Sequence, residues 1–298
     1  MLIEQVAELP IKERFFYWIK ERTAIKTRKD SGEEKPWTDD IILQSYRFCN
    51  VRRMDDKVSA WLLNNWYQPN FDHKNILAAV ALARFINQVD SLKFVGFPYK
   101  WNIEKIKSRM RKYRDDPESP TSIFSAAYMV RGGDAGGEKV SDVVDRYVNP
   151  LVVDNIKDQL DKDYMEESHA IIQKCYGFGS FNAGQVVADL RWAMKGDWLD
   201  KDTWAPVGPG SSRGMQRLLG IDVKASRQSR IVSQSEFMEF LTDLMEEGKK
   251  RKDLKKLPVI KIMEAQDWQN CLCEFDKYER VLWNQGRPKQ KYDGVNNE

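Results

Sequence analysis

Histidine and cysteine are scarce in this chain. Its 298 residues include two histidines, His73 and His169, and four cysteines, Cys49, Cys175, Cys271 and Cys273. No pair of cysteines has the C-x₂-C spacing of zinc ligands, and Cys271-x-Cys273 is too close for it. A Cys/His metal centre is therefore not expected, and so few thiols suit a reducing, cytoplasmic setting. There is no run of about 18 apolar residues, so no membrane-spanning helix and no membrane partner are expected. The N-terminus lacks the basic start and apolar core of a secretory signal. No G-x-x-x-x-G-K-[ST] loop is present, which removes the usual cradle for the phosphates of ATP. Strand-rich stretches, internal repeats and low-complexity tracts are missing as well. What remains is helical periodicity, and the fold class expected is mainly α.

The composition is that of a folded globular chain, 42% hydrophobic and 31% charged. Its net charge of +3 is mild, but the basic residues are clustered, which suits a nucleic-acid surface better than the total suggests. The length allows one large domain over 1–298, or two lobes, 1–135 and 140–298, divided at the glycine-rich Arg131-Gly132-Gly133-Asp134-Ala135-Gly136-Gly137. That loop reads as a mobile lid.

Two glycine motifs stand out. In Cys175-Tyr176-Gly177-Phe178-Gly179-Ser180, one apolar helix pattern (Ile171, Ile172, Cys175) runs into a Gly-x-Gly turn. A second pattern follows at once (Ala183, Val186, Val187, Leu190, Met194). The second helix would begin with outward N–H groups from Gly179 and Ser180, a ready phosphate site. A plain turn between packed helices is the competing reading. In Gly208-Pro209-Gly210-Ser211-Ser212-Arg213-Gly214, Ser211 or Ser212 is expected to cap the next helix. Arg213 in its first turn opposes the helix dipole, unless an anion lies between it and the N–H groups.

Along the chain, an aromatic helix is expected over 10–28, then a long helix from Thr38 or Asp39 with Val51, Met54, Val58 and Trp61 on one face. Arg47, Asn50, Arg52, Arg53, Asp55 and Asp56 interleave that face. They form either a solvated surface with ion pairs or a polar cluster aimed into a cleft. A helix over 74–91 places Arg84 and Asn87 in line with Leu77 and Val80, so two polar groups continue an apolar stripe and need partners, internal or ligand. Residues 101–114 (Lys105, Lys107, Arg109, Arg111, Lys112, Arg114) and 249–256 are basic runs suited to phosphates or to solvent. The stretch 222–233 reads as irregular. A helix capped at Ser233 or Ser235 runs through Met245, and another spans 266–280, where Glu274, Lys277 and Tyr278 fall together.

Several stretches together carry a resemblance: Glu21-Arg22, Pro36-Trp37-Thr38-Asp39-Asp40, Tyr46-Arg47-Phe48-Cys49-Asn50-Val51-Arg52-Arg53-Met54-Asp55, Arg84-Phe85-Ile86-Asn87, the two glycine motifs, and Leu272-Cys273-Glu274-Phe275-Asp276-Lys277-Tyr278. From about residue 12 to 292 the chain resembles the phage thymidine-hypermodification family, the α-glutamyl/putrescinyl thymine pyrophosphorylases, also described as amino acid:DNA transferases, which is related to the helical domain of 5-hydroxymethyluracil DNA kinases. The resemblance implies a helix-hairpin-helix, DNA-glycosylase-like fold. It implies action on double-stranded DNA carrying phosphorylated 5-hydroxymethyluracil, with the (pyro)phosphate replaced by glycine, glutamate or putrescine. It also implies a functional link to a 5-hydroxymethyluracil DNA kinase, and a host-cell cytoplasmic location for a phage-encoded chain. The missing phosphate loop argues against kinase activity of its own. Bifunctional glycosylases place a lysine two residues after the Gly-x-Gly, where this chain has Phe181, so a Schiff-base lyase is not expected. The glycosylase aspartate would fall at Asp200 or Asp202.

Such chemistry calls for a flipped base, cations on the leaving phosphate and a base for the amine proton. Arg47, Arg52, Arg84 and Arg213 are candidates for the phosphate, and Asp55, Asp202 and Glu274 for the proton. Asn50, Asn87 and Lys277 complete the catalytic set, and Gly177, Gly179, Ser180, Gly208, Gly210 and Ser211 the backbone contacts to DNA. No cofactor is demanded by direct displacement or by elimination and addition. A transferase would bring Arg47, Asn50, Arg84, Asn87 and Glu274 into one pocket. A glycosylase would rest on one aspartate such as Asp202. A non-catalytic DNA-binding partner of a kinase would pair its stripe polars internally.

Overall fold

The computed structural model describes residues 2–125, 138–221, 223 and 232–286. The glycine-rich loop Arg131–Gly137 and most of 222–233 lie outside the described residues. The fold is mainly α, with no β-strand among the described residues. The main helices are α1 (Ile11–Asp30), α2 (Ile76–Ile86), α3 (Ile103–Asp115), α4 (Met165–Gln173), α5 (Ser180–Ala193), α6 (Pro209–Leu218), α7 (Gln234–Lys250) and α8 (Ala265–Leu282). The chain forms two compact units, one made of Met1–Asp56 with Lys201–Glu298 and the other of Lys57–Asp200.

In the first unit, α1 buries Phe15, Phe16, Trp18 and Ile19 in a cluster with Phe237, Leu241 and Leu244 of α7 and Trp268, Leu272, Phe275 and Tyr278 of α8. Phe15 meets Phe275 edge-on, with ring centroids 5.3 Å apart, the geometry favoured by aromatic quadrupoles. The helix α6 lies close on α8. A Cβ on Gly210 would run into Cys273, and one on Gly214 into the main chain of Leu272, so both glycines serve close helix approach. The cap of α6 is Gly208, with Pro209 at the first turn, rather than Ser211 or Ser212. Ser211 instead sits three residues in and accepts from the Gly208 N–H at 3.0 Å. Pro209 fits there because its missing N–H has no intrahelical partner to lose.

The long helix expected from Thr38 or Asp39 through Trp61 does not form. Asp40 is the cap, accepting from Ile42 N (2.9 Å) and Leu43 N (3.1 Å), and the helix stops at Ser45. Tertiary partners take over the backbone that follows. Arg22 donates to the carbonyls of Phe48 (3.2 Å) and Cys49 (3.3 Å), Glu274 accepts from Cys49 N (2.9 Å), and Asp56 accepts from Asn50 N (3.1 Å). A 3₁₀ turn at Arg53–Asp55 and a new helix at Lys57–Leu62 replace the expected continuation.

In the second unit, every residue of α2 is buried. The helix expected over 74–91 breaks at Asn87, which adopts a left-handed φ of 45°, and a separate helix spans Val89–Val95. The helix α5 buries Ala183 through Leu190. Asp200 caps α4, accepting from Met165 N (2.7 Å) and Glu166 N (3.0 Å).

Candidate functional site

The hairpin of the second unit joins α4 to α5. Gly177 has φ +84°, a left-handed conformation that favours glycine, and a Cβ there would strike the ring of Tyr147. Gly179 differs: its φ of −69° is open to any residue, and nothing lies within 4 Å of a Cβ built on it. It caps α5 without a side-chain bond, and Ser180 opens the helix. Tyr176 and Phe181 are exposed on either side of the turn. Arg146 donates to the Tyr176 hydroxyl at 2.6 Å and lies over its ring. A helix N-terminus without a side-chain cap, between exposed aromatic rings and a guanidinium, is suited to a nucleic-acid backbone.

This contrast between the two glycines yields a test. Gly179→Ala is expected to hold its unfolding free energy within about 1 kcal/mol of wild type and to lower duplex affinity by hindering backbone approach. Gly177→Ala is expected to lose stability as well, because both its φ and Tyr147 oppose a side chain. Urea unfolding and fluorescence anisotropy on the same preparations separate the two.

Elsewhere in this unit the expected site residues are engaged internally. Arg84 donates through Nη2 to Asp189 (2.9 Å) and to Ser59 Oγ (3.1 Å), and through Nη1 to Asn87 Oδ1 (3.3 Å). Its Nε and the Tyr67 hydroxyl both donate to the other Asp189 oxygen. Asn87 donates to Ser125 at 3.3 Å. These groups are buried, and their partners complete a structural network. The basic helix α3 is also partly neutralised: Lys107 pairs with Glu104 and Asp145, and Arg111 and Arg114 share Glu138. Lys105, Arg109 and Lys112 stay exposed on it.

In the first unit Arg213 meets an anion, and that anion belongs to the protein. The fully buried Asp276 accepts from Arg213 Nε (2.9 Å) and Arg217 Nε (2.9 Å), with Arg280 Nε 3.3 Å away. Asp202 is exposed, 3.9 Å from Lys201. Both oxygens of Asp200 are engaged at the start of α4. Arg47 is exposed on the extended segment, and Arg52 lies 3.8 Å from Asp55.

Another part of this unit gathers polar groups at the helix break. Glu274, 7% exposed, accepts from Cys49 N and from Lys277 Nζ at 2.7 Å, and the Lys277 ammonium sits 4.6 Å from the Phe48 ring centre. Asn50 donates to the Asp55 carbonyl (2.9 Å) and accepts from Arg22 Nη2 (3.2 Å). Asp56 closes the group on Asn50 N. Burial, with the nearby Glu274 charge, pushes Asp56 up to about 6 from its ordinary 3.8. A carboxylate with that value can take up and return a proton near neutral pH. Burial pushes the thiols of Cys49 and Cys271 well up and that of Cys273 to about 12, so thiolate is sparse at neutral pH.

The Asp56 value fixes a sign. The folded state holds its proton to a higher pH than the unfolded state, so stability falls as pH rises from about 4 through 6. The full difference corresponds to about 3 kcal/mol, and partial exposure reduces it to about 1–2 kcal/mol. Asp56→Asn removes that dependence, and relative to wild type it should gain about this much between pH 4 and pH 8 in urea unfolding.

The family model for the helical domain of 5-hmdU (5-hydroxymethyldeoxyuridine) DNA kinases matches residues 9–287. The chain belongs to that family. A 5-hmdU DNA kinase of Bacillus phage SP10 is 26% identical over 228 residues, covering 68% of this chain and 35% of that protein. The chain thus corresponds to about a third of that kinase's length. No solved structure matches. Among the described residues no helix is long and apolar enough to cross a membrane.

Within this family member, Asn50, Asp55, Glu274 and Lys277 come together in the first unit, while Arg84 and Asn87 belong to the second. Sequence reasoning did not single out Asp56 or Arg22 as site residues. Asp56 was visible only as one more acid in a mixed-charge stretch, and Arg22 only as part of a resembling dipeptide. Arg22 acts through the carbonyls of Phe48 and Cys49 and Asp56 through the Asn50 N–H, bonds that only the folded backbone brings about.

Proposed function

We propose that this chain is an amine:DNA transferase of thymine hypermodification, acting on 5-hydroxymethyluracil that a DNA kinase has already phosphorylated. The observation that carries this reading is the polar group at the helix break, where Asp56, its carboxyl pushed up to about 6 by burial and by the nearby Glu274 charge, shares surroundings with Glu274, which in turn holds the Lys277 ammonium. The hairpin with Gly177, Gly179 and Ser180 holds duplex backbone, and the target base leaves the stack. The bond from the 5-methylene carbon to the phosphate oxygen breaks, and the (pyro)phosphate departs with the electron pair. A carbon–nitrogen bond to glycine, glutamate or putrescine forms, and Asp56 takes the proton the amine sheds. Lys277 offsets negative charge as the phosphate leaves. Asn50 orients Asp56 through its N–H.

A second reading, a non-catalytic DNA-binding partner of the kinase, is favoured by one observation: Arg84, Asn87 and Asp189 are paired among themselves. The experiment is nucleoside mass spectrometry of DNA containing 5-phosphomethyluracil after incubation with the protein, amino acids and putrescine. An aminated thymidine that disappears with Asp56→Asn and Glu274→Gln supports the transferase and names the amine. Unchanged DNA that the protein still binds supports the partner module. A free base with an abasic site would replace both with a glycosylase.

A further inference from the structure

The first unit contains a pocket of about 130 Å³ that none of the expected site residues line. Its walls include Arg22, Lys35, Trp37, Thr38, Leu43 and Gln44. Each wall offers a different contact. The half-buried indole of Trp37 presents a π face, and the ammonium groups of Lys35 and Lys29 lie 5.2 and 5.8 Å from its ring centre. The indole is fixed by its own N–H to the Glu33 carbonyl (2.6 Å) and by its main-chain carbonyl, which accepts from Arg28. Arg22, only 8% exposed, contributes a cationic side chain to the lining. Leu43 gives an apolar edge, and the Gln44 amide is oriented by the Thr38 carbonyl at 2.6 Å. Aromatic face, fixed cation, apolar edge and amide together suit a flat, aromatic, anionic ligand. The volume is well below the roughly 300–1,000 Å³ of pockets that enclose drug-sized ligands, so the occupant is one ring with its substituent and not a whole dinucleotide.

Arg22 also decides where this pocket leads. The same side chain that lines it donates through its guanidinium to Asn50 Oδ1, Phe48 O and Cys49 O. Those residues carry the backbone held by Glu274 and Asp56. One side chain therefore joins the pocket to the acid–base group.

We propose that this pocket binds a pyrimidine ring bearing a phosphate on its 5-substituent, with Trp37 against the ring and Arg22 and Lys35 on the phosphate. The assignment rests on the transferase reading for the identity of the ring, and on the pocket alone for its chemical class. The probes are 5-phosphomethyl-2′-deoxyuridine and its unphosphorylated counterpart, titrated calorimetrically into the full chain. Trp37→Ala and Lys35→Glu are compared with wild type, and thermal melts check folding; Lys35 is exposed, so its variant leaves the core intact. The expected result is a loss of about tenfold in affinity for Trp37→Ala with both probes. For Lys35→Glu a similar loss is expected with the phosphorylated probe alone. Failure of wild type to bind either probe at millimolar concentration, or equal affinities in all three proteins, overturns the pocket. Nucleoside mass spectrometry on the same proteins separates the two ideas. Binding that depends on Trp37 without any DNA turnover keeps the pocket and removes the transferase. Turnover that Trp37→Ala leaves intact removes the pocket and keeps the transferase.

Discussion

Asp276→Ala will destabilise the first unit by about 3–5 kcal/mol, the largest single-residue effect expected there. Asp276 has no solvent exposure, and its two oxygens meet Arg213 and Arg217 at 2.9 Å and Arg280 at 3.3 Å. Removing the carboxylate leaves three guanidinium groups beside one another. Arg217, itself buried, keeps the neutral Gln285 acceptor at 2.8 Å. Breaking a buried pair costs more than the pair contributes net, because the surviving charge stays desolvated. Asp276→Asn should cost less, since the amide oxygen still accepts. Adding Arg217→Met to Asp276→Ala should recover part of the loss, and the double-mutant cycle in urea measures the coupling. A loss below about 1 kcal/mol for Asp276→Ala would mean that the cluster behaves like a surface ion pair. This expectation also reinterprets Arg213. At the start of α6 its side chain is committed to Asp276, so DNA affinity in Arg213→Ala should fall with stability and not ahead of it.

The second large effect concerns Asp189. Asp189→Ala is expected to cost the second unit about 3–5 kcal/mol, because it removes the buried carboxylate that Arg84 meets through Nε and Nη2 and that Tyr67 also donates to. The reverse change, Arg84→Ala, removes the guanidinium that offsets the buried Asp189 charge and should cost a similar amount. Arg84→Lys retains the charge but loses the two-pronged geometry to the carboxylate, and an intermediate loss is expected. Chemical denaturation of the three variants orders them. Arg84→Ala is therefore a poor test of catalysis, since lost turnover would follow lost fold. Asp56→Asn and Glu274→Gln are better, because each keeps an acceptor in place while removing a charge.

Much of the framework was legible in the sequence. The helix expected over 10–28 is α1, 11–30, because its aromatic density leaves no other way to bury so many rings. The basic helix over 101–114 is α3, 103–115, and the C-terminal helix expected over 266–280 is α8, 265–282. The helix expected to end at Met245 runs on to Lys250, since its buried stripe continues to Gly248 against Trp268. The turn at Gly177 was legible for a backbone reason: one left-handed residue between two helices needs glycine.

The sequence by itself thus determined a mainly helical chain, the helix–turn–helix at Gly177–Gly179 and a helix beginning at the second glycine motif. All of these follow from local periodicity and backbone freedom. Tertiary structure alone decided the rest. The apolar spacing at Val51, Met54 and Val58 matched a helix, but Arg22, Glu274 and Asp56 capture the Phe48–Asn50 backbone and hold it extended. Arg84 looked equally fit for a ligand or a core partner, and Asp189, 105 residues away, makes it a core residue. The pairing of Met1–Asp56 with Lys201–Glu298 in one unit likewise has no local signal. Side chains whose partners lie a hundred or more residues away carry no mark of those partners in their neighbours along the chain. Only the folded packing, through which charges are desolvated and must find one another, assigns them.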